Sequence, residues 1–373
     1  MNIIKAGLII LALAAGCAAP VVAEPLEDGK AAYDRQDYET ALRLLRPLAE
    51  QGNAQAQHNL GFMYVKGQSV RQDYAEAIKW YRLAAAQDHA QAQFRLGFMY
   101  DLGQGVTRDY AEAVKWYRLA AAQGDADAQH NLGFMYVKGQ GVTRDYVEAV
   151  KWHRLAAAQG NADAQYNLGL MYSQGQGVTR DYVEAVKWYR LAAAQDHAQA
   201  QFHLGFMYEL GQDVRQDYAE AIKWYRLAAA QDHAQAQFYL GLMYSQSQGV
   251  TRDYVEAVKW YRLAASQGNA VAQSSIGAMY YQGQGVTQDY AEAIKWYRLA
   301  AAQGYADAQH NLGFMYGQGQ GVTQDDVKAH MWFNLAAAQG DEGAVKNRDI
   351  VAKRMTPAQM AEAQKLAREW MPK

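Results

Sequence analysis

Tryptophan recurs at Trp80, Trp116, Trp152, Trp188, Trp224, Trp260, Trp296 and Trp332, a 36-residue spacing that never slips. A fixed period of roughly 20–50 residues marks a tandem array, because so short a unit buries its apolar face only by stacking on its neighbours. The period restricts the chain to a solenoid, propeller or similar array. It also moves any function onto a surface that the array presents.

The copy at 54–88 reads AQAQHNLGFMYVKGQSVRQDYAEAIKWYRLAAAQD, and the next begins at Ala90. In its first half Ala54, Gln57, Leu60, Gly61 and Tyr64 fall at three- and four-residue steps; in its second half Ala77, Trp80, Tyr81, Ala84 and Ala85 do the same. Each set therefore shares one helical face. Neither half alternates apolar with polar residues, and the richness in Ala, Leu, Lys, Gln and Glu favours helix. Between the halves stands a GxGV loop, as in Gly103, Gly105 and Val106, where glycine allows the positive φ that ends one helix and turns the chain. No lysine stands in P-loop register and no strand precedes, so the loop reads as an interhelical turn rather than a phosphate cradle. Asp73 followed by Glu76 opens the second helix as a capping pair, and the pair recurs through Asp289 and Glu292. Only after Asp325 does Lys328 replace the glutamate.

The phrases LGFMY, GQGV, DYAEA and KWYRLAAAQG resemble the Sel-one-like repeat family, a branch of the tetratricopeptide superfamily. Eight copies carry the Leu-Gly pair of the first helix from Leu60-Gly61 to Leu312-Gly313, with Ile276-Gly277 once. The resemblance implies an all-α, right-handed superhelical α-solenoid of 36-residue helix-loop-helix repeats, used for protein binding. It does not identify the partner.

The expected organisation has four parts: a signal peptide at 1–23, a degenerate helical pair at 24–52, eight repeats at 53–340, and capping helices at 341–373. In the degenerate pair Leu44 and Leu45 replace the tryptophan and tyrosine. The final helix opens at Thr356-Pro357 with Gln359 three residues after the threonine, and it includes Trp370. In the last copy Met331 and Asn334 replace the usual lysine and arginine, as a covering helix would require.

Residues 1–23 combine Lys5, an apolar run from Ala6 to Ala15 and small residues up to Ala23, the pattern of a secretory signal peptide. The run is too short to cross a bilayer. Cys17 ends a weaker lipobox-like LAAGC, which leaves lipidation as the minor alternative to cleavage after Ala23. The chain is thus expected to be exported, as a periplasmic or secreted protein or a lipid-anchored envelope protein, with no transmembrane segment in its mature form. Cys17 is the single cysteine, so no disulfide braces the repeats. S-x-x-K, G-x-S-x-G, H-E-x-x-H and paired metal-ligand spacings are absent, so no catalytic residue, cofactor or metal is expected.

With 36 basic against 38 acidic side chains the net charge is -2, and the cations Lys79, Arg82 and their copies are spread over the second helices rather than gathered. Nothing here favours nucleic acid. The tryptophan ladder reads as interior, with small alanines beside each ring. His153 reads as a core substitution. His89, His197 and His233 occupy one inter-repeat turn position without the convergent ligands of a zinc site.

The differences between copies carry the functional reading. On the first helix they concentrate at the positions equivalent to 55, 58, 59, 65 and 66, which fall within one arc of about 120° with Phe62 near its middle. Two adjacent rows run along this arc. The residues proposed to hold a peptide or protein segment are His58, Asn59, Phe94, Arg95, His130, Asn131, Tyr166, Asn167, Phe202, His203, Phe238 and Tyr239. Rings grip side chains and amides bond an extended backbone. In the related tetratricopeptide fold this face lines the concave groove. The alternative for the same rings is packing between repeats.

The functional expectation is a non-enzymatic protein-protein interaction scaffold of the bacterial envelope or extracellular space. Two alternatives stay open: an envelope enzyme or binder acting on β-lactam or peptidoglycan-like ligands, implied by disulfide-bearing relatives, and a polysaccharide-assembly scaffold using the aromatic row. The partner's identity and the oligomeric state leave no mark in the sequence.

Overall fold

The structure, a computed structural model, describes residues 25–370 with the exception of 213. The segment read as a signal peptide, with Cys17, lies outside the described residues. All regular elements among the described residues are α-helices.

Contacts divide the chain into two compact units, one up to Arg144 and one from Asp145. The first holds α1 (Pro25–Asp34), α2 (Tyr38–Glu50), α3 (Ala54–Lys66), α4 (Tyr74–Ala85), α5 (Ala90–Leu102), α6 (Tyr110–Ala122) and α7 (Ala126–Lys138). The second opens with α8 (Tyr146–Ala158), α9 (Ala162–Gln174), α10 (Tyr182–Ala193), α11 (Ala198–Leu210), α12 (Tyr218–Ala230), α13 (Ala234–Gln246) and α14 (Tyr254–Ser266). It continues with α15 (Ala270–Gln282), α16 (Tyr290–Ala302), α17 (Ala306–Gln318), α18 (Asp326–Ala337), α19 (Glu342–Ala352) and α20 (Pro357–Glu369). Within each unit the two helices of a repeat pack on each other, as α3 on α4, and the second packs on the first helix of the next repeat, as α4 on α5. That is the contact pattern of an α-solenoid.

The helix boundaries follow from local chemistry. Asp73 accepts from the Glu76 amide at 2.9 Å, and the copies do likewise. The glutamate side chain does not reach back to complete a capping box. Glu76 takes Lys79 at 2.6 Å instead, and among the described residues a reciprocal box forms only at Thr356 and Gln359. At the first helices the cap is Asn53, Asp125, Asn161 or Asn269, and where histidine stands there its Nδ1 accepts the same bond, as in His89 from the Ala92 amide at 3.3 Å. His197 and His233 do the same, which accounts physically for the turn histidines.

The second glycine of GxGV is fixed by a neighbour as well as by φ. At Gly105 φ is +71°, and an added Cβ would lie 2.6 Å from Cβ of Tyr74 in the preceding repeat. Only glycine permits that approach.

In the core, the tyrosine beside each tryptophan is the fully enclosed ring. Tyr81, Tyr117 and Tyr225 are 0% exposed, whereas Trp80, Trp116 and Trp224 are half-buried. Gly61 makes the room, since a Cβ there would stand 2.8 Å from the Tyr81 ring. Trp80 and Trp116 each lean on the cluster formed by the preceding second helix and their own first helix, Trp80 on the one that includes Leu45, Leu60 and Met63 and Trp116 on the one that includes Ala77 and Leu96. The ladder is thus a set of inter-repeat braces rather than the innermost layer. His153 replaces the enclosed tyrosine in one copy and is itself 0% exposed.

A buried glutamine ties consecutive repeats. Gln57 donates to the Ala49 carbonyl at the end of α2, and its side-chain oxygen accepts from Gln87 at 2.8 Å. The arrangement recurs at Gln93, Gln201, Gln237, Gln273 and Gln309. At the C-terminal end α19 and α20 both pack on α18; Met331 is buried, and Arg354 bonds Asp326 at 2.7 Å.

Candidate protein-binding surface

The enclosed tyrosine of the second helix organises the first-helix face. The residue equivalent to 58 lays its ring against the tyrosine of its own repeat: His58 on Tyr81, Phe94 on Tyr117, Tyr166 on Tyr189, Phe202 on Tyr225 and Phe238 on Tyr261, with centroids 5.7–6.1 Å apart. Three of these rings also stack on the histidine that caps the next first helix: His58 on His89 at 5.0 Å, Tyr166 on His197 at 4.7 Å and Phe202 on His233 at 4.8 Å. The residue equivalent to 59 turns back to the tyrosine of the preceding repeat. His203 stacks on Tyr189 at 5.4 Å, Tyr239 stacks on Tyr225 at 5.4 Å, and the Asn131 side chain stands beside the Tyr117 hydroxyl.

The third variable position, equivalent to 65, meets the same tyrosine hydroxyl from its own helix. Tyr117 donates to Asp101 at 3.2 Å and Tyr225 to Glu209 at 2.5 Å, while Ser173 and Ser245 pair with Tyr189 and Tyr261. Burial pushes the Asp101 and Glu209 carboxyls up, and the tyrosine bond pulls each partly back. Much of the variation between copies thus serves the tyrosine hydroxyl. The sequence signal was the alternation of Val65, Asp101, Ser173 and Glu209 in copies that keep the second-helix tyrosine.

Of the twelve residues proposed for contact, Phe202 is buried and the others are half-buried. The structure gathers His58, Asn59 and Arg95 around one cavity of about 330 Å³, together with Lys30, Tyr33, Asp34, Gln55 and Phe62. Asn59 accepts from Gln55 at 3.0 Å and from His58 Nδ1 at 3.3 Å. Burial, with help from the charges of His89 and Arg95, pushes His58 down to about 4, so it is neutral at pH 7. A second cavity of about 230 Å³, in the unit from Asp145, is lined by Tyr281, Tyr297, His310, Asn311, Phe314 and Met315. His310 and Asn311 are the equivalents of His58 and Asn59 in that copy. Phe94, Tyr166, Phe202 and Phe238 line neither cavity.

The most exposed rings on this face belong to a row that the comparison of copies passed over. Phe134 and Phe314, equivalent to Phe62, are 41% and 39% exposed. Their row is Phe62, Phe98, Phe134, Leu170, Phe206, Leu242, Ala278 and Phe314, apolar throughout, and near-constancy concealed it. An apolar row held at the surface in copy after copy is the signal that finds it. Among the described residues no cluster of His, Cys, Asp and Glu has the grouping of a metal site. No described helix is long and apolar enough to cross a membrane.

The family model of the Sel1 repeat matches nine consecutive stretches: 26–53, 54–89, 90–125, 126–161, 162–197, 198–233, 234–269, 270–305 and 306–341. The first of these falls largely on the segment read from sequence as a degenerate pair. Among solved structures, the chain is similar to c5321, a protective antigen of uropathogenic Escherichia coli strains displaying an SLR fold. That protein is 34% identical, over 93% of this chain and 91% of its own, with a TM-score of 0.52. The chain is also similar to a Sel1 repeat protein from Oxalobacter formigenes, 37% identical over 65% of this chain and 99% of its own, with a TM-score of 0.60. No curated protein matches.

Proposed function

We propose, since this chain belongs to the Sel1 repeat family, that it is a non-enzymatic scaffold which holds a protein or peptide segment along the exposed face of its first helices, in the cell envelope or outside the cell. Sel1 repeat proteins are generally protein-interaction scaffolds, and the family is typically non-catalytic. The observation that carries the choice of face is the apolar row that each unit presents, with Phe134 exposed in one and Phe314 in the other, flanked by half-buried amides and rings and beside a cavity in each unit. Such a surface gives an extended chain apolar contacts beside hydrogen-bonding groups. The pattern at 1–23 supports export.

The test is cross-linked capture from periplasm and culture medium by the full chain and by a Phe134→Gln, Phe314→Gln variant. Both rings are exposed, so the variant should fold as the parent does. Loss of the same captured protein is expected, with a Leu119→Gln, Leu299→Gln variant on the second helices retaining it. Undiminished capture by the folded first-helix variant sinks the reading. Mass analysis of the exported protein separates cleavage after Ala23 from lipidation at Cys17.

A further inference from the structure

The first helices differ in charge between the two units. α3, α5 and α7 carry Lys66, Arg95 and Lys138, and α1 carries Lys30, whereas α9, α11, α13, α15 and α17 contain no lysine or arginine. In the unit up to Arg144 these cations sit over the exposed apolar row: Lys66 and Arg95 lie 5.7 and 5.3 Å from the Phe62 centroid, and Lys138 lies 5.4 Å from that of Phe134.

Arg95 differs from the arginines of the second helices. Arg82, Arg118 and Arg154 each donate to a tyrosine hydroxyl, as Arg82 does to Tyr100 at 2.6 Å. Arg95 is half-buried against Phe62 and Phe94, 5.5 Å from the latter centroid, and its guanidinium has no hydrogen bond or ion pair with another described residue. The ring contacts leave its five donors free for an acceptor, and a cation over a ring gains only part of what a carboxylate would supply. The cavity beside it contains one other cation, Lys30, already held by Glu27 at 2.9 Å, and one carboxylate, Asp34. His58 is neutral there, so with Lys30, Arg95 and Asp34 the lining charge is +1.

We propose that this cavity receives an acidic side chain of an extended peptide segment, an aspartate or glutamate next to an aromatic or branched apolar residue. The carboxylate takes the planar fork of Arg95 in two hydrogen bonds, a geometry that lysine cannot supply. The apolar neighbour lies against Tyr33 and Phe62, whose rings stand 6.3 Å apart edge to face. Asn59, its side-chain oxygen already taken by Gln55 and His58, donates its amide to a peptide carbonyl. The inference rests on the first-helix face being the protein-binding surface and adds which segment of a partner docks in the N-terminal unit.

The test titrates the full chain, labelled with ¹³C at histidine, with acetyl-Gly-Phe-Asp-Gly-amide and with acetyl-Gly-Phe-Asn-Gly-amide, which differ only in the carboxylate. The His58 ring signal, assigned by a His58→Gln variant, is followed. The aspartate peptide should bind roughly tenfold tighter, as a charge-assisted bidentate pair implies. In Arg95→Gln that preference should disappear while circular dichroism and melting stay unchanged, and Lys346→Gln should preserve it. Equal affinity of the two peptides for the parent chain overturns the acidic preference and leaves the peptide surface standing. A preference that survives Arg95→Gln removes Arg95 from the site. No response to either peptide overturns the inference, and the capture experiment then decides separately whether the face binds protein at all.

Discussion

Gln123 donates its side-chain amide to the side-chain oxygen of Gln93 at 2.7 Å, while Gln93, 1% exposed, donates in turn to the Ala85 carbonyl. One buried amide thus satisfies the end of α4 and anchors the end of α6. The same atoms serve the junctions at Gln57, Gln165, Gln201, Gln237, Gln273 and Gln309, so cohesion between repeats has a polar component as well as the tryptophan brace. A buried amide is worth most when both its halves are engaged.

Gln93→Leu keeps the volume and removes both bonds, leaving the Ala85 carbonyl and the Gln123 amide without their partner. The expected cost is about 1–3 kcal/mol by urea denaturation, with faster amide exchange in α4 and α5. A change below about 0.5 kcal/mol would show that water replaces the amide at no loss.

Gly97→Ala places a Cβ 2.6 Å from the Tyr117 ring, so the ring or the helix must shift. The expected loss is about 1–3 kcal/mol. In a Tyr117→Leu background the same change should cost much less, because the clash is with the ring. Additive effects of the two substitutions would place the strain elsewhere.

Tyr117→Ala and Trp116→Ala compare neighbours of different depth. Tyr117 is 0% exposed at the centre of its repeat, and its loss should cost about 3–5 kcal/mol. Trp116, half-buried on the preceding cluster, should cost less. The reverse order of unfolding midpoints would restore the tryptophan as the innermost layer.

Acid should destabilise the chain through its stacked histidines. Burial, followed by the charges of His233 and His197, pushes His203 down to about 4. Its other neighbours are the rings of Tyr166, Tyr189 and Phe202. The folded chain holds the ring neutral while the unfolded chain protonates it near pH 6.5, so this stability is complete above that value and is lost as pH falls toward about 4. Glu209, raised by burial, acts oppositely, losing stability as pH rises. Over the fall from about pH 7 to about pH 4.5, His203→Gln should show a loss smaller by on the order of 2 kcal/mol than the parent. Identical pH profiles would exclude His203 as a source.

The helices and their ends were legible because their causes are local. Asp73 bonds an amide three residues away, and the glycine after a first helix, such as Gly67, takes a positive φ, so both can be read from a few consecutive letters. The variable arc was legible for the same reason, since position around a helix follows from residue number alone. What stands within 6 Å of each member of that arc was not. Phe202 and Phe238, read as contact anchors, rest on Tyr225 and Tyr261, and the more exposed Phe134 and Phe314 sit in the row that hardly varies.

The sequence by itself determined a helical array of 36-residue units, their capping and their family, because a strict period and local hydrogen bonds leave no other solution. Only the tertiary structure decided that the tyrosine lies deeper than the tryptophan, that Gln57 and its copies join repeats, and that Arg95 stands beside a cavity without an acceptor. Those facts depend on distances of about 3–6 Å between residues 18–37 positions apart, set by how one helix pair leans on the next.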